Sequence, residues 1–196
     1  MAAAIDSESV GAPASFQPLA VLEHALAAAP PAPRDAGRVV LLVSRGKGGI
    51  RETPAQVAMT PQSGMPGDAW GREPKRDPDA QLTVMQASVA RLIAGGQPLT
   101  LFGDNLVLDL DLSDANLPAG SRLRAGGVLL EVTALPHNGC RKFRARFGDG
   151  ALRFASKPEL RRLNLRGVYM RVVEAGAVSV GDPVEVVSRA SDPFRT

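Results

Sequence analysis

The sequence predicts a mostly β domain whose short strands close, or nearly close, into a barrel. Its clearest strand is "NLVLDLDLS", where leucine alternates with valine or aspartate at the period of two that a half-buried strand requires. One face of this strand is expected to lie in the core and the other to contact water. The residues expected to face inward are Leu106, Leu108, Leu110 and Leu112.

Glycine-marked turns separate the other strands that support the barrel. "SRLRAGGVLLEVTAL" predicts two strands joined at Gly126-Gly127, which is a hairpin signal. "GVYMRVVEAGAVSVGDPVEVV" predicts three more strands with turns between them. Strands and helices do not alternate regularly, so a parallel sheet covered by helices is not predicted.

The chain before the barrel predicts one short amphipathic helix. "FQPLAVLEHALAAAP" spaces its large apolar residues by three and four, and the prolines of "APPAPRDAG" end the pattern. Either docking on the barrel or a mobile arm is compatible with this helix. We therefore divide the chain into a helix and proline-rich linker at 1–36, a barrel domain at 37–189 and a flexible tail at 190–196.

The segment between the linker and the leucine strand predicts strands, loops and one helix. "RVVLLVSR" and "QVAMT" are strand-like, and "SRGKGGIRE" predicts a hairpin loop because it lacks the phosphate-loop pattern G-x-x-x-x-G-K-[ST]. "GMPGDAWG" and "REPKRDPDA" predict loops. "QLTVMQASVARLIAGG" begins as a strand and becomes a helix that ends at Gly95.

Composition narrows the function class. The chain has 196 residues, of which 44% are hydrophobic, and a formal net charge of +3. Its single cysteine, Cys140, cannot form an intramolecular disulfide, and two histidines cannot complete a zinc site. The sequence contains neither a signal-peptide pattern nor an apolar run long enough to span a membrane. We expect a cytoplasmic protein without membrane contact.

Positive charge is concentrated around and after Cys140. Residues 140–171 include ten basic and two acidic side chains, a net charge of +8, so the rest of the chain is net negative at −5. Such asymmetry predicts an anionic partner, which includes phosphate, a phosphorylated cofactor or an oxyanion. Phe143, Phe147, Phe154 and Tyr169 interleave with these bases, which leaves a single-stranded nucleic acid binder as an alternative. The interpretation we favour makes these aromatic residues core members of short strands.

Cys140 is the main catalytic candidate. Positive charge from Arg141, Lys142 or a protonated His137 favours a thiolate, which is a nucleophile, a sulfur acceptor and a soft metal ligand. The alternative is a buried cysteine that acts as a small hydrophobic residue. Gly139 is expected to leave room for a reactant. No serine-hydrolase motif G-x-S-x-G is present, and the His137–Cys140 spacing gives only a weak protease signal.

Several motifs in order resemble the MOSC domain, found at the C-terminus of molybdenum cofactor sulfurases. They are "GMPGDAWG", "LFGDNLVLDL", "GCRKFRARFG" and "LRGVYMRVVEAGAVSVGDPVEVV", within about residues 38–187. The resemblance implies a β-rich barrel whose cysteine carries sulfur or ligates molybdenum. It also implies a cysteine desulfurase or an electron-transfer protein as partner. Pyridoxal phosphate belongs to larger relatives with an aminotransferase-like domain, and no lysine context for it is evident here.

Three functions follow as hypotheses. The first is a stand-alone MOSC protein that binds molybdenum cofactor or carries sulfur. The second is a small molybdenum-dependent reductase of N-hydroxylated compounds, and the third is a basic nucleic-acid-binding barrel. The expected catalytic residue and metal ligand is Cys140. The expected cofactor-binding residues are Asp104, Asn105, His137, Arg141, Lys142, Arg144, Arg146 and Arg166.

Overall fold

Twelve strands and four α-helices make up the regular structure of a computed structural model that describes residues 5–6 and 10–191. The strands are β1 (Ile5–Asp6), β2 (Ala36–Leu42), β3 (Ser44–Arg45), β4 (Ile50–Glu52), β5 (Gln56–Met59), β6 (Leu82–Gln86), β7 (Leu106–Leu108), β8 (Arg122–Ala125), β9 (Val128–Val132), β10 (Val168–Glu174), β11 (Gly176–Ser179) and β12 (Pro183–Ser188). The helices are α1 (Leu19–Ala28), α2 (Ala69–Arg72), α3 (Ala87–Ala94) and α4 (Arg141–Ser156). Short 3-10 helices lie at Pro13–Ser15, Lys47–Gly49, Pro78–Ala80, Leu99–Phe102 and Pro158–Leu163.

Seven strands form a closed barrel in the order β10-β6-β7-β2-β12-β8-β9, so the predicted barrel is confirmed. Neighbouring strands are antiparallel except β6 and β7, which pair in parallel. The hairpin predicted at Gly126-Gly127 joins β8 to β9. β11 pairs with β5, and β4 pairs with both β1 and β3, outside the barrel. The "SRGKGGIRE" segment therefore is the hairpin that its sequence predicts.

The leucine row fills the barrel as predicted. Leu106, Leu108, Leu110 and Leu112 are fully buried in the interior cluster. Regular pairing nevertheless covers only Leu106–Leu108. The expectation that the opposite face contacts water is wrong for Val107, which is fully buried in a second cluster. The reason is that helices cover this side of the barrel.

The second cluster lies between the barrel and the helices α1, α3 and α4. Leu22 of α1 is 1% exposed within it, and Glu23 pairs with Lys157 beyond the end of α4. The N-terminal helix is thus docked on the domain, which resolves the alternatives that its sequence left open. Of the predicted tail, Ala190 donates its backbone N–H to Ser121 Oγ, and residues 192–196 lie outside the described residues.

Helix α4 was not predicted. The interpretation of Phe143, Phe147 and Phe154 as core residues is correct, because each is at most 2% exposed, but they lie on a helix and not on strands. Their spacing of four and seven matches the 3.6-residue period. Gly148 interrupts the helix with φ +84°, and a Cβ there would lie 2.8 Å from Phe16 Cδ2. Close packing of the N-terminal segment therefore requires the glycine that makes the sequence look non-helical.

No helix in the described part of the chain is both long enough and apolar enough to cross a membrane.

Candidate functional site

A cleft of about 680 Å³ opens at one end of the barrel, beside the N-terminus of α4. Its walls come from the β3–β4 hairpin, α2, the turn before β7, the loop that leads into α4, and the start of β10. The cleft brings together six of the predicted site residues. They are Asp104, His137, Cys140, Lys142, Arg146 and Arg166.

Positive charge dominates the cleft. Among the described residues that line it, seven are basic and only Asp104 is acidic. Three of the basic residues belong to the predicted window, and the other four come from the segment before residue 75. Those four are Arg45, Lys47, Arg51 and Arg72. Residues 36–51 carry four basic and no acidic side chains, but their distance from Cys140 along the chain gave no reason to place them beside it.

Asp104 fixes one of these bases in place. Arg166 Nη1 donates to both carboxylate oxygens of Asp104, at 3.0 and 2.7 Å, and both side chains are buried. The Arg166 guanidinium also lies over the ring of Phe143, 5.2 Å from its centroid. Complete burial raises the pKa of Asp104 above its ordinary value, and the charges of Arg166 and Arg45 oppose that rise. Asp104 therefore holds Arg166 in place at the cleft.

Asp68 and Asn105 fix Arg45. Asp68 accepts from Arg45 Nε at 2.9 Å and Nη2 at 2.6 Å, and its other contacts include the Asn105 Nδ2 donor at 2.9 Å. It also accepts from the backbone N–H of Trp70, which caps α2. Burial acts to raise the pKa of Asp68, but the Arg45 hydrogen bonds and charge outweigh burial and lower it. Asn105 is fully buried and does not line the cleft, so its role is to hold Asp68 and Arg45.

His137 is the most constrained residue of the cleft. Its side chain is 7% exposed, its ring centroid lies 4.5 Å from that of Tyr169, and its Nδ1 lies 3.9 Å from Asp104 Oδ1. Nδ1 has no hydrogen-bond partner among the described residues. Burial, together with the charges of Arg166 and Arg45, lowers the pKa of His137 well below 6.5. A protonated His137 is one of three alternative sources of positive charge near Cys140, and burial, followed by the charges of Arg166 and Arg45, disfavours it.

Cys140 is exposed and caps the N-terminus of the 16-residue helix α4. The buried-cysteine alternative is therefore wrong. The expectation that Gly139 gives a reactant room is also wrong, because a Cβ at this position would lie 2.7 Å from Leu152 Cδ1. Gly139 instead allows Leu152 to pack closely against the backbone. Cys140 thus lies at the edge of the cationic cleft.

Two predicted binding residues face away from the cleft. Arg141 and Arg144 are exposed on α4 and are not among its lining residues, and Arg144 pairs with Asp149 at 2.8 Å. Elsewhere in the basic window, acids distant in sequence neutralise several charges. For example, Arg171 pairs with Asp79 and Glu131. The basic residues of segment 140–171 therefore do not form a single anion-binding site.

Gly103 in the "FGDN" segment leaves room for the guanidinium of Arg51. Its φ is +72°, and a Cβ there would lie 3.1 Å from both Nε and Nη2 of Arg51. Arg51 therefore packs against the backbone at Gly103, which also lines the cleft. Within residues 5–6 and 10–191, no group of three or more His, Cys, Asp or Glu side chains could hold a metal ion by itself.

Comparison with known proteins agrees with this fold. The family model described as the MOSC domain matches residues 75–185, more than half of the chain. The chain belongs to the MOSC domain family. Four of the seven bases of its cleft precede the matched range. No curated protein matches this MOSC chain.

Solved structures resemble the MOSC chain in fold. YuaD from Bacillus subtilis aligns with a TM-score of 0.59 at 18% identity, covering 79% of this chain and 97% of that one. YiiM from Escherichia coli aligns with a TM-score of 0.54 at 23% identity, covering 79% and 71%. A hypothetical protein aligns with a TM-score of 0.58 at 24% identity, covering 81% and 71%.

Proposed function

We propose that this MOSC domain binds molybdenum cofactor in the cationic cleft and that Cys140 supplies the protein ligand to the metal. The observation that carries the proposal is an exposed cysteine at the edge of a cleft with seven basic residues. Phosphate and other oxyanions are the ligands that such a cleft favours, because arginine donates in a fixed fork and lysine supplies a point charge.

The ligand set fits a metal that arrives with ligands of its own. No group of three candidate ligands exists among the described residues, so a bare ion is poorly served. A molybdenum atom held by the sulfur atoms of a pterin needs only one further soft ligand, and a thiolate is suitable. When bound, the cofactor supplies a redox-active metal centre.

The residues of the chain have separate roles in this proposal. Lys142, Arg146 and Arg45 hold the anionic part of the cofactor, Asp68 keeps Arg45 in place, and Asp104 keeps Arg166 in the cleft. The buried polar atoms of the cleft that have no hydrogen-bond partner among the described residues include His137 Nδ1 and Arg166 Nε. A polar ligand relieves such atoms, which otherwise cost about 1–3 kcal/mol each.

The exposure of Cys140 also supports a second candidate, sulfur carriage. The thiolate accepts a sulfane sulfur from a donor persulfide, and the donor leaves as a thiolate. Nucleic acid binding has less support, because Phe143, Phe147 and Phe154 are buried and offer no stacking surface. No observation on the chain favours reduction of N-hydroxylated compounds over simple cofactor binding.

Molybdenum and pterin content of the purified protein test the proposal. We expect both in the wild type, a loss of molybdenum in Cys140→Ser, and weaker retention of both in Lys142→Ala. Arg144→Ala is the matched control, because Arg144 lies on the same helix but outside the cleft. Equal molybdenum content in the wild type and Cys140→Ser would contradict ligation by Cys140. A mass increase of one sulfur atom, absent from Cys140→Ser, would indicate sulfur carriage.

A further inference from the structure

A second cavity of about 440 Å³ lies on the other side of His137 from the cationic cleft. His137 is the residue that lines both spaces. We name this second space the apolar chamber, and its volume lies in the range of small-molecule sites. Its apolar lining includes Pro118, Ala119, Val132, Ala134, Leu135 and Val168.

Two chain segments separate the chamber from the cleft. In the loop before α4, residues 133–137 line the chamber, whereas His137, Asn138 and Cys140 line the cleft. At the start of β10 the neighbours Gly167 and Val168 line the chamber, whereas Arg166 and Tyr169 line the cleft. The partition is therefore about one side chain thick, and its centre is the contact between His137 and Tyr169.

Two polar residues that line the chamber, Asn164 and Thr133, already hydrogen-bond within the protein, and one residue of each charge, Asp114 and Arg161, also lines it. Asn164 Nδ2 donates to Leu112 O and to Asp114 Oδ1, at 2.9 and 2.8 Å. Thr133 Oγ1 donates to Asp79 O at 2.7 Å. The surface that remains for a ligand is mainly apolar, in contrast to the cationic cleft. Only His137, at the partition, offers a buried polar atom without a partner among the described residues.

From this arrangement we propose that the apolar chamber binds the uncharged organic body of the substrate, whose polar end reaches His137 and the Cys140 cleft. The inference rests on the proposed function, because it adds the organic molecule that would meet the cofactor bound in the cleft. The substrate class is a small, flat or aliphatic, uncharged molecule with one hydrogen-bonding group at its end. An anion is expected in the cleft and not in the chamber, because seven basic residues and one acidic residue line the cleft, whereas the chamber has one of each.

The test uses two probes on the full chain, benzamide for the chamber and inorganic pyrophosphate for the cleft. Binding is followed by NMR shifts of the His137 ring and of the backbone amides of each space. Ala134→Phe fills the chamber from an exposed position, and Ala119→Phe does the same from the opposite wall. Lys142→Ala changes only the cleft. Thermal unfolding checks that each variant is folded.

We expect benzamide to shift the His137 ring and the Ala134 amide. The benzamide dissociation constant should rise about tenfold in either phenylalanine variant and change little in Lys142→Ala, with the opposite pattern for pyrophosphate. Undetectable benzamide binding, or benzamide binding that is unchanged in both phenylalanine variants, would overturn the proposal that the chamber binds an uncharged organic group. If pyrophosphate fails to bind while benzamide follows this pattern, the proposal of cofactor binding in the cleft fails, and binding of an uncharged molecule in the chamber is supported.

Discussion

The buried His137 should make the stability of the protein depend on pH in a defined window. Burial and the charges of Arg166 and Arg45 hold the folded-state pKa of His137 well below 6.5. In the unfolded chain the same histidine takes up a proton near pH 6.5. The unfolded state therefore binds more protons below this pH, and the free energy of unfolding falls as the pH is lowered. This contribution to stability is complete above pH 6.5.

The size of the effect follows from linkage. Between pH 6.5 and the lowered folded-state pKa, the free energy of unfolding should fall by about 1.4 kcal/mol per pH unit. For a chain of this length the unfolding temperature falls by roughly 2–4 °C per kcal/mol, so one pH unit lowers it by about 3–6 °C. The side chain is 7% exposed, so little solvent is available to reduce the effect.

The assay is thermal and denaturant unfolding between pH 5 and 8 of the wild type, His137→Gln and His24→Gln. His24 is the matched control because it is the other histidine of the chain and is exposed on α1. His137→Gln should flatten the profile below pH 6.5, and His24→Gln should leave it unchanged. A profile of His137→Gln that runs parallel to the wild type, or an imidazole that titrates near 6.5 by NMR, would refute the reasoning.

Three further predictions concern the cleft. Asp104→Ala should lower the free energy of unfolding by about 3–5 kcal/mol, because it leaves Arg166 buried and unpaired. Glu174→Ala is the control at an exposed ion pair and should lower it by at most about 1 kcal/mol. Equal losses for the two variants in denaturant unfolding would contradict the role of burial. Cys140 should alkylate as fast in native as in denatured protein, and Cys140→Ser should keep the fold; labelling only after unfolding would refute its exposure. The lowered pKa of Asp68 contributes stability that is complete above pH 3.8, its ordinary pKa, and is lost as the pH falls through its folded-state pKa. The free energy of unfolding of Asp68→Asn should therefore fall less on acidification than that of the wild type. Acid unfolding profiles that run parallel in the two proteins would contradict this.

Local patterns in the sequence predicted most of the barrel. Alternation in "NLVLDLDLS" and glycine-marked turns such as Gly126-Gly127 act between near neighbours, so they can be recognised without the fold. The same holds for the start of α3 after β6. Helix α4 carries a helical period in its phenylalanines, but Gly148 and Gly150 hide it. A Cβ at Gly150 would lie 2.2 Å from Gln17 O, so a distant segment determines why glycine stands there.

The sequence by itself determined the barrel and singled out Cys140, and it predicts an anionic partner. Only the tertiary structure decided which charges meet. Arg45 and Arg51 join Lys142 and Arg146 although about ninety to one hundred residues separate them, while Arg144, two residues from Lys142, points elsewhere. The physical reason is that Coulomb interactions and burial depend on distance in space, which sequence spacing fixes only within one helix or strand. The pKa of His137 is lowered for the same reason, since burial in the fold and the charges of Arg166 and Arg45 from two other segments act on it together.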